Sequence, residues 1–215
     1  MATPKFDRIA ISFLHKAKGE FSTTFTPGSL MPDADFLTAE QISDYVNRAL
    51  ITFFNQSLKA VGFDDYKFAS QFPEMVGTDS KTLTGKDDFD VSNKNLYRII
   101  AFRESRQVNN GEWRKGIVFD MNVYGEAKSG QNHLLSGDND EFIGIRDGNI
   151  LHIFPGESAG EQYEVEVDFI IKPLDLGGGD IIQNGKYDVP YSDIWLEEIS
   201  DIAYQLYLKD ADIIS

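Results

Sequence analysis

Two amphipathic helix patterns near the ends of the chain bracket a block of strand patterns, and this order constrains the fold more than any other feature. The first pattern begins at Leu37 and stops at Gly62, and the second runs from about Pro190 or Ser192 to Lys209. A period near 3.6 with one apolar face indicates helices that bury that face against another element. The order therefore predicts an α+β protein in which the two end helices pack together as a bundle.

The sequence predicts both the start and the end of the first helix. Thr38 and Gln41 have the spacing of a capping box, and Leu37 and Ile42 occupy the two positions of a hydrophobic staple. Gly62 is the residue type that ends a helix in the left-handed conformation. We expect a helix of about 24 residues, roughly 36 Å long at 1.5 Å per residue. Its apolar face comprises Ile42, Tyr45, Val46, Ala49, Leu50, Phe53, Phe54 and Leu58.

The second helix carries acidic residues in its first half, where the helix dipole favours negative charge. Trp195 is interpreted first as a core anchor and second as an interface residue, because Trp is enriched at buried contact centres. Ile213 and Ile214 form an apolar tip beyond the helix and are the other candidate interface residues. The expected apolar face comprises Ile194, Trp195, Ile199, Ile202, Ala203, Leu206 and Tyr207.

The block between the helices predicts an antiparallel, β-rich subdomain. Asn109-Asn110-Gly111 and Asp147-Gly148 have the composition of hairpin turns, the latter of type I′, whereas Gly77–Thr82 and Gly125–Asp140 are expected to be loops. The predicted organisation is a helical core with an N-terminal arm, residues 1–62 and 174–215, carrying a β-rich insertion, residues 63–173. The expected strands are Leu96–Arg103, Glu112–Val123, Glu141–Arg146, Asn149–Phe154 and Gln162–Lys172.

The first 37 residues contain one short apolar piece, Ile9–Leu14, followed by a polar stretch rich in Gly, Ser, Thr and Pro up to Pro32. Two interpretations stay open for this segment. It is either an arm that docks on a neighbouring subunit or a surface segment packed on its own domain.

Composition excludes several classes of function. Lys and Arg number 20 against 35 Asp and Glu, and the net charge of −15 argues against a sequence-specific nucleic-acid reader, which needs a basic face. The chain has no cysteine, so disulfides, thiolate catalysis and cysteine zinc sites are excluded. We find no apolar run near the roughly 20 residues that span a bilayer and no signal peptide at the start, and we expect a soluble, intracellular product.

Residues suited to catalysis or metal binding are scattered. His15, His133 and His152 lie in three separate regions, and none has a second histidine or a carboxylate at helical ligand spacing. The acidic groups Asp138–Glu141 and Asp87, Asp88 and Asp90 lack the spacing of a calcium loop. Gly177–Gly179 lacks the Lys-Ser/Thr of a phosphate-binding loop. We therefore expect no enzyme activity, no cofactor and no bound metal.

One pattern at the end of the chain resembles a known family. Ile170 and Pro173 close the last strand, Val189-Pro190 follows a glycine-rich connection, and Glu198-Ile199 with Ala203 lie in the last helix. This phrase resembles head–tail connector proteins, the neck ring adaptors of tailed phages, among them crAss-like and other short-tailed phages of Bacteroidetes. The helix beginning at Leu37, with Asn47 and Ala49 inside it, looks like the entry helix of such adaptors.

The resemblance implies a virion structural protein without an active site. Such a protein is assembled in the host cytoplasm and forms a ring of identical subunits between portal and tail, in contact with the portal protein and other neck or tail proteins. The ring lines a channel through which DNA passes without sequence-specific binding, and no membrane is involved. A like-charged lumen fits this role, because it lacks the cationic contacts that would hold DNA by releasing its counterions.

A second hypothesis comes from a different class. The strands between Leu96 and Lys172 could form a module that binds a carbohydrate or a protein, with Trp113, Tyr97 or Tyr124 as its platform. An enzyme of unknown type is the third hypothesis.

Overall fold

The computed structural model describes residues 4–18, 37–85, 88–92, 95–106, 111–123, 142–154, 162–173 and 189–211. Helices and a seven-stranded, mostly antiparallel sheet are both present, so the α+β class is confirmed. The chain forms two compact units, residues 1–74 with 172–215 and residues 75–171. The sequence placed the ends of the insertion at residues 63 and 173. The first end moves to residue 75, because the short helix after residue 62 belongs with the helices, and the second moves to residue 171.

The described part of the first unit contains four helices. The last helix packs along both the first and the second, so the two ends of the chain meet in one unit. The helices are α1 (Lys5–Lys18), α2 (Ala39–Ala60), α3 (Asp65–Gln71) and α4 (Leu196–Asp210).

Helix α2 has the predicted ends and the predicted buried face. The Gln41 N–H donates to Thr38 Oγ1 (3.2 Å) and the Thr38 N–H donates to Gln41 Oε1 (2.8 Å), which completes the capping box. Leu37 and Ile42 are both buried, as a hydrophobic staple requires. At the other end Gly62 adopts a φ of +68°, the left-handed conformation predicted for it.

The first segment of the chain is not an extended arm over residues 5–18. It forms α1, whose buried residues Phe6, Ile9, Ala10 and Phe13 follow helical spacing. These residues pack within their own unit, which was the second of the two interpretations of this segment. Charged residues between the apolar ones hid the full period in the sequence. The remainder of the expected arm, residues 19–36, lies outside the described residues.

Helix α4 begins later than predicted, after a 3₁₀ turn at Asp193–Trp195. Ile194 was expected on the apolar face, but 74% of it is exposed. A 3₁₀ turn has 3.0 residues per turn, so its side chains leave the phase of the following α-helix. Ile199 and Ala203 are fully buried, as the pattern predicted.

The second unit is a single sheet in the order β1-β7-β3-β4-β5-β6-β2. Neighbouring strands pair antiparallel except β4 and β5, which are parallel. The strands are β1 (Val76–Thr84), β2 (Phe89–Asp90), β3 (Leu96–Arg106), β4 (Trp113–Asp120), β5 (Phe142–Asp147), β6 (Ile150–Phe154) and β7 (Gln162–Ile171).

Strand β1 contradicts the prediction of a loop at Gly77–Thr82. It pairs with β7 along its whole length, from Val76 opposite Ile170 to Thr84 opposite Gln162. Its polar, glycine-containing sequence is typical of an edge strand, where outward side chains meet solvent. Gly77 is required there by packing, because a Cβ would lie 2.7 Å from Cε2 of Phe169.

The sheet curls so that its two edge strands approach each other. Lys81 of β1 donates to the Asp90 carbonyl of β2, and its Nζ lies 4.7 Å from the centroid of the Phe89 ring. One buried apolar cluster accordingly takes residues from both ends of the sheet, including Leu83, Tyr163, Phe102, Phe89 and Leu151.

The β5–β6 hairpin has a two-residue turn, because Asp147 pairs with Ile150. Of the two turn residues, Gly148 alone has a positive φ, +57°. This fits a type II′ turn, with glycine at the first central position, rather than the type I′ turn predicted at Asp147-Gly148. The predicted loop at Gly125–Asp140 lies outside the described residues, as do Asn109 and Asn110.

Candidate interaction surfaces

Ion pairs along α1 tie this helix to the C-terminal segment. Arg8 Nη1 lies 2.8 Å from Asp193 Oδ2, and Lys16 Nζ lies 2.7 Å from Glu197 Oε1 and 2.6 Å from Asp201 Oδ1. Hydrogen bonding from Arg8 lowers the pKa of Asp193, and hydrogen bonds from Lys16 and Ser12 lower the pKa of Glu197. Each exposed pair stabilises the fold weakly, but their alignment fixes how α1 lies on α4.

Trp195 packs within its own unit. Its ring centroid lies 5.6 Å from that of Phe53 on α2 and 5.3 Å from that of Phe72, which follows α3. Tyr191 joins the same cluster, with its ring 5.0 Å from Phe53 and its hydroxyl donating to the Leu50 carbonyl (3.4 Å). Trp195 is only partly buried, and its interface role stays a prediction, as does that of Ile213 and Ile214, which lie outside the described residues.

A groove of about 500 Å³ lies between α2 and α4. Ile202 and Leu206 give it an apolar surface, and three polar residues with one lysine surround them. The sequence pattern assigned Ile202 and Leu206 to the buried face of the helix, but both are only partly buried. The lining residues are Thr52, Gln56, Ile202, Gln205, Leu206 and Lys209.

Two aromatic side chains are exposed where α2 leads into α3, Phe63 in the connection and Tyr66 in the first turn of α3. Phe63 is 60% exposed and Tyr66 is 69% exposed. Phe63 is also the non-glycine residue with a positive φ, +59°, in the described part of the chain. The sequence analysis missed this pair, although an aromatic residue directly after a helix-ending glycine was a signal that could have found it.

Trp113 and Tyr97, two of the aromatic residues of the proposed β platform, do not form one surface. Trp113 is 47% exposed and lies beside Arg103, whose Cζ is 5.9 Å from the ring centroid. Trp113 pairs with Ser105, whereas Tyr97 lies eight residues from Ser105 along β3. At about 3.3 Å per residue this separation is roughly 26 Å, too far for one sugar ring. Tyr124 lies outside the described residues.

A charged pair is buried inside the curled sheet. Arg106 Nη2 donates to Glu104 Oε2 (2.9 Å) and Arg106 Nε lies 2.6 Å from Glu104 Oε1, and the two side chains are 6% and 0% exposed. The Arg106 guanidinium also lies 4.9 Å from the centroid of the Tyr163 ring. Burial of these two side chains is tolerated because their opposite charges offset each other. No sequence pattern pointed to this pair.

Folding brings one histidine to a carboxylate. His152 Nδ1 lies 2.8 Å from Asp88 Oδ1, because Phe89 pairs with Leu151 and the flanking residues become cross-strand neighbours. Such a carboxylate orients an imidazole and fixes its tautomer. His15 lies on α1, while His133 is outside the described residues.

The described residues contain no group of three or more His, Asp or Glu side chains that could hold a metal ion. Of the two acidic groups considered from the sequence, Asp87 and Asp138–Glu141 lie outside the described ranges. Within those ranges, the helices are also too short or too polar to cross a bilayer.

Two comparisons with known proteins identify no relative of this chain. The sequence matches no protein-family model, and the search of curated proteins finds no match.

Proposed function

We propose that this chain is a virion structural protein, a subunit of the ring that connects portal and tail in the neck of a tailed phage. The observation that carries the proposal is the helical unit built from both ends of the chain. It presents an apolar groove between α2 and α4, an exposed Phe63 after the end of α2 and an exposed Tyr66 in α3. A surface that combines an apolar hollow with exposed aromatic side chains suits repeated contacts between identical subunits.

The residues of the family phrase support the same proposal. Most of them are buried, namely Ile170, Pro173, Val189, Ile199 and Ala203, whereas Pro190 is half-buried and Glu198 is exposed. They therefore mark how the last strand leaves the sheet unit and how the last helix enters the helical unit. A resemblance at buried positions reflects a common fold. Proteins that assemble without an active site are expected to have a common fold rather than common catalytic residues.

The net charge of −15 suits a channel for DNA. A protein that holds DNA does so by neutralising phosphates with Lys and Arg, which releases counterions. Within the described residues, arginines of the helical unit are paired with carboxylates, such as Arg8 with Asp193 and Arg48 with Asp210. A ring of such subunits repels the passing duplex instead of binding it.

The full-length chain tests the proposal directly. Mass photometry and negative-stain microscopy over a concentration series should show closed rings in addition to the 24.2 kDa subunit. The same protein should appear at a fixed ratio to the portal protein in purified virions of the phage that encodes it. A chain that stays monomeric at every concentration and is missing from those virions contradicts the proposal.

A second candidate function, a β-rich module that binds carbohydrate, is favoured by one observation. Trp113 presents nearly half of its surface beside Arg103, an arrangement suited to stacking against a sugar or a peptide group. A glycan array separates the two candidates. Retention of the monomer on one glycan, lost in Trp113→Ala and kept in Tyr97→Ala, would favour the binding module.

A further inference from the structure

Phe63 occupies a conformation and an environment that a phenylalanine normally avoids. Its φ of +59° lies in the left-handed region, which is costly for a residue with a large side chain, and 60% of it is exposed. Strained backbone that persists at an exposed aromatic residue points to a role outside the fold of the single chain.

The end of α2 holds Phe63 firmly in this place. The Phe63 N–H donates to the Leu58 carbonyl (2.8 Å) and the Gly62 N–H donates to the Lys59 carbonyl (3.0 Å), which is the complete Schellman motif. The next residue, Asp64, caps α3 by accepting from the Lys67 N–H (3.0 Å). The backbone of Phe63 is thus fixed between two helix ends, so binding through its ring costs only the entropy of ordering the side chain.

The groove between α2 and α4 offers a matching surface. Its volume of about 500 Å³ is in the range that holds compact organic groups, roughly 300–1,000 Å³. Ile202 and Leu206 suit the face of an aromatic ring, and Gln56 and Gln205 can hydrogen-bond a tyrosine hydroxyl. The charged residue of the groove is Lys209, whereas Asp64 and Asp65 lie between Phe63 and Tyr66.

Phe63 cannot fill the groove of its own chain. Gln56 and Thr52 precede Phe63 by 7 and 11 residues on a rigid helix. At 1.5 Å per residue they lie roughly 10 and 16 Å back along the axis, beyond the reach of one side chain. The exposed ring and the groove are therefore separate patches on one copy, so a contact between them would join two copies head to tail.

We propose that Phe63 of one copy, with Tyr66 beside it, inserts into the α2–α4 groove of the next copy. Repetition of this contact closes a ring if the rotation between copies is a whole fraction of a turn. This inference rests on the proposed function, because only that function requires a ring. The contact itself is measured by self-association of the purified chain.

Phe63→Gly separates this role from a role in folding. Glycine removes the ring and also relieves the left-handed backbone, so the melting temperature of the monomer should stay the same or rise. Self-association should weaken by at least about 30-fold, the loss expected for a central aromatic contact residue. Ile194→Ser is the matched control, because it removes another highly exposed apolar side chain (74%) and should leave assembly unchanged. Unchanged self-association in Phe63→Gly, or an equal loss in Ile194→Ser, would overturn the proposal.

The absence of cysteine allows a direct test of the contact. Tyr66→Cys and Gln205→Cys, each alone, supply one thiol on either side of the proposed interface. A mixture of the two variants should form heterodimers with a short bis-maleimide, and the double variant should form a ladder of covalent oligomers. Each single variant, treated alone, should remain uncoupled.

The outcomes distinguish this contact from the proposed function. If microscopy shows rings but the double variant forms no ladder of cross-linked oligomers, the Phe63–groove contact is disproved and the proposed function as a ring subunit is retained. A ladder from a chain absent from virions would support the contact and disprove the neck role. A chain with neither rings nor a ladder would refute both.

Discussion

The packing of Phe102 in the curled sheet yields a sharp prediction for Gly116→Ala. Gly116 lies opposite Phe102 on the neighbouring strand, and a Cβ there would overlap Cζ and Cε1 of the ring and lie 2.6 Å from Cε2. Phe102 is 3% exposed, so its ring has no open space to enter. Overpacking of this kind costs about 1–3 kcal/mol, and the gain from replacing a strand glycine by alanine is about 0.5–1 kcal/mol.

We expect the upper end of the cost, because all three of the nearest atoms belong to one buried ring. The net loss of stability is then about 2 kcal/mol. With an m-value of about 2 kcal/mol/M, the urea midpoint of the sheet unit falls by about 1 M. Equilibrium unfolding followed by far-UV circular dichroism and by tryptophan fluorescence measures this shift.

A double-mutant cycle shows whether the ring causes the loss. In a Phe102→Leu background Gly116→Ala should cost less than about 0.5 kcal/mol, which gives a coupling energy of about 1.5 kcal/mol. Gly148→Ala is the control: nothing lies within 4 Å of its Cβ, and its φ of +57° makes the substitution costly in both backgrounds alike. An equal cost of Gly116→Ala in both backgrounds, or none in the wild type, would refute this account of the packing.

Three further predictions follow from the contacts described above. Glu104→Gln leaves Arg106 buried without its carboxylate and should lower the free energy of unfolding in urea by about 3–5 kcal/mol. The double variant Glu104→Met with Arg106→Leu should recover most of that stability. An equal loss of stability in the single and the double variant would contradict this account of the ion pair. Thr38→Ala removes the capping box of α2 and should cost about 1 kcal/mol, with Thr38→Ser close to wild type; a cost as large in the serine variant would exclude capping as its cause. The pKa values of Asp193 and Glu197 are lowered in the folded chain, so the stability from their pairs is present above their unfolded values of 3.8 and 4.5 and is lost as pH falls through the folded ones. Hydrogen exchange should therefore show α1 losing protection between about pH 5 and pH 2 and Asp193→Asn reducing that change, while pH-independent protection would contradict it.

Local patterns in the sequence predicted the features that local interactions build. The capping box at Thr38 and the glycine at position 62 act within a few residues of each other, so α2 could be assigned with both of its ends. The hairpin β5–β6 was found for the same reason, since its turn and its pairing lie within one short segment. The α+β class follows from these elements together.

Features that depend on distant partners were missed or misjudged. The polar stretch Gly77–Thr82 became a strand because β7, some ninety positions later, supplies its hydrogen bonds, as Thr78 to Asp168 shows. Residues 5–18 became a packed helix because α4 covers its apolar face. The spacing of Ile194 predicted that it is buried, but it lies in the 3₁₀ turn Asp193–Trp195 and its side chain is exposed.

The candidate contact surface likewise combines features that local sequence determines with features that depend on distant partners. The sequence by itself determined helices α2 and α4 and the apolar residues available to a core, because helix caps, turn glycines and periodicity act over a few residues. Only the tertiary structure decided that Ile202 and Leu206 line an open groove and that Phe63 remains outside the core. Those outcomes depend on which helices meet and at what register, and such long-range packing is not encoded in any short stretch of the chain.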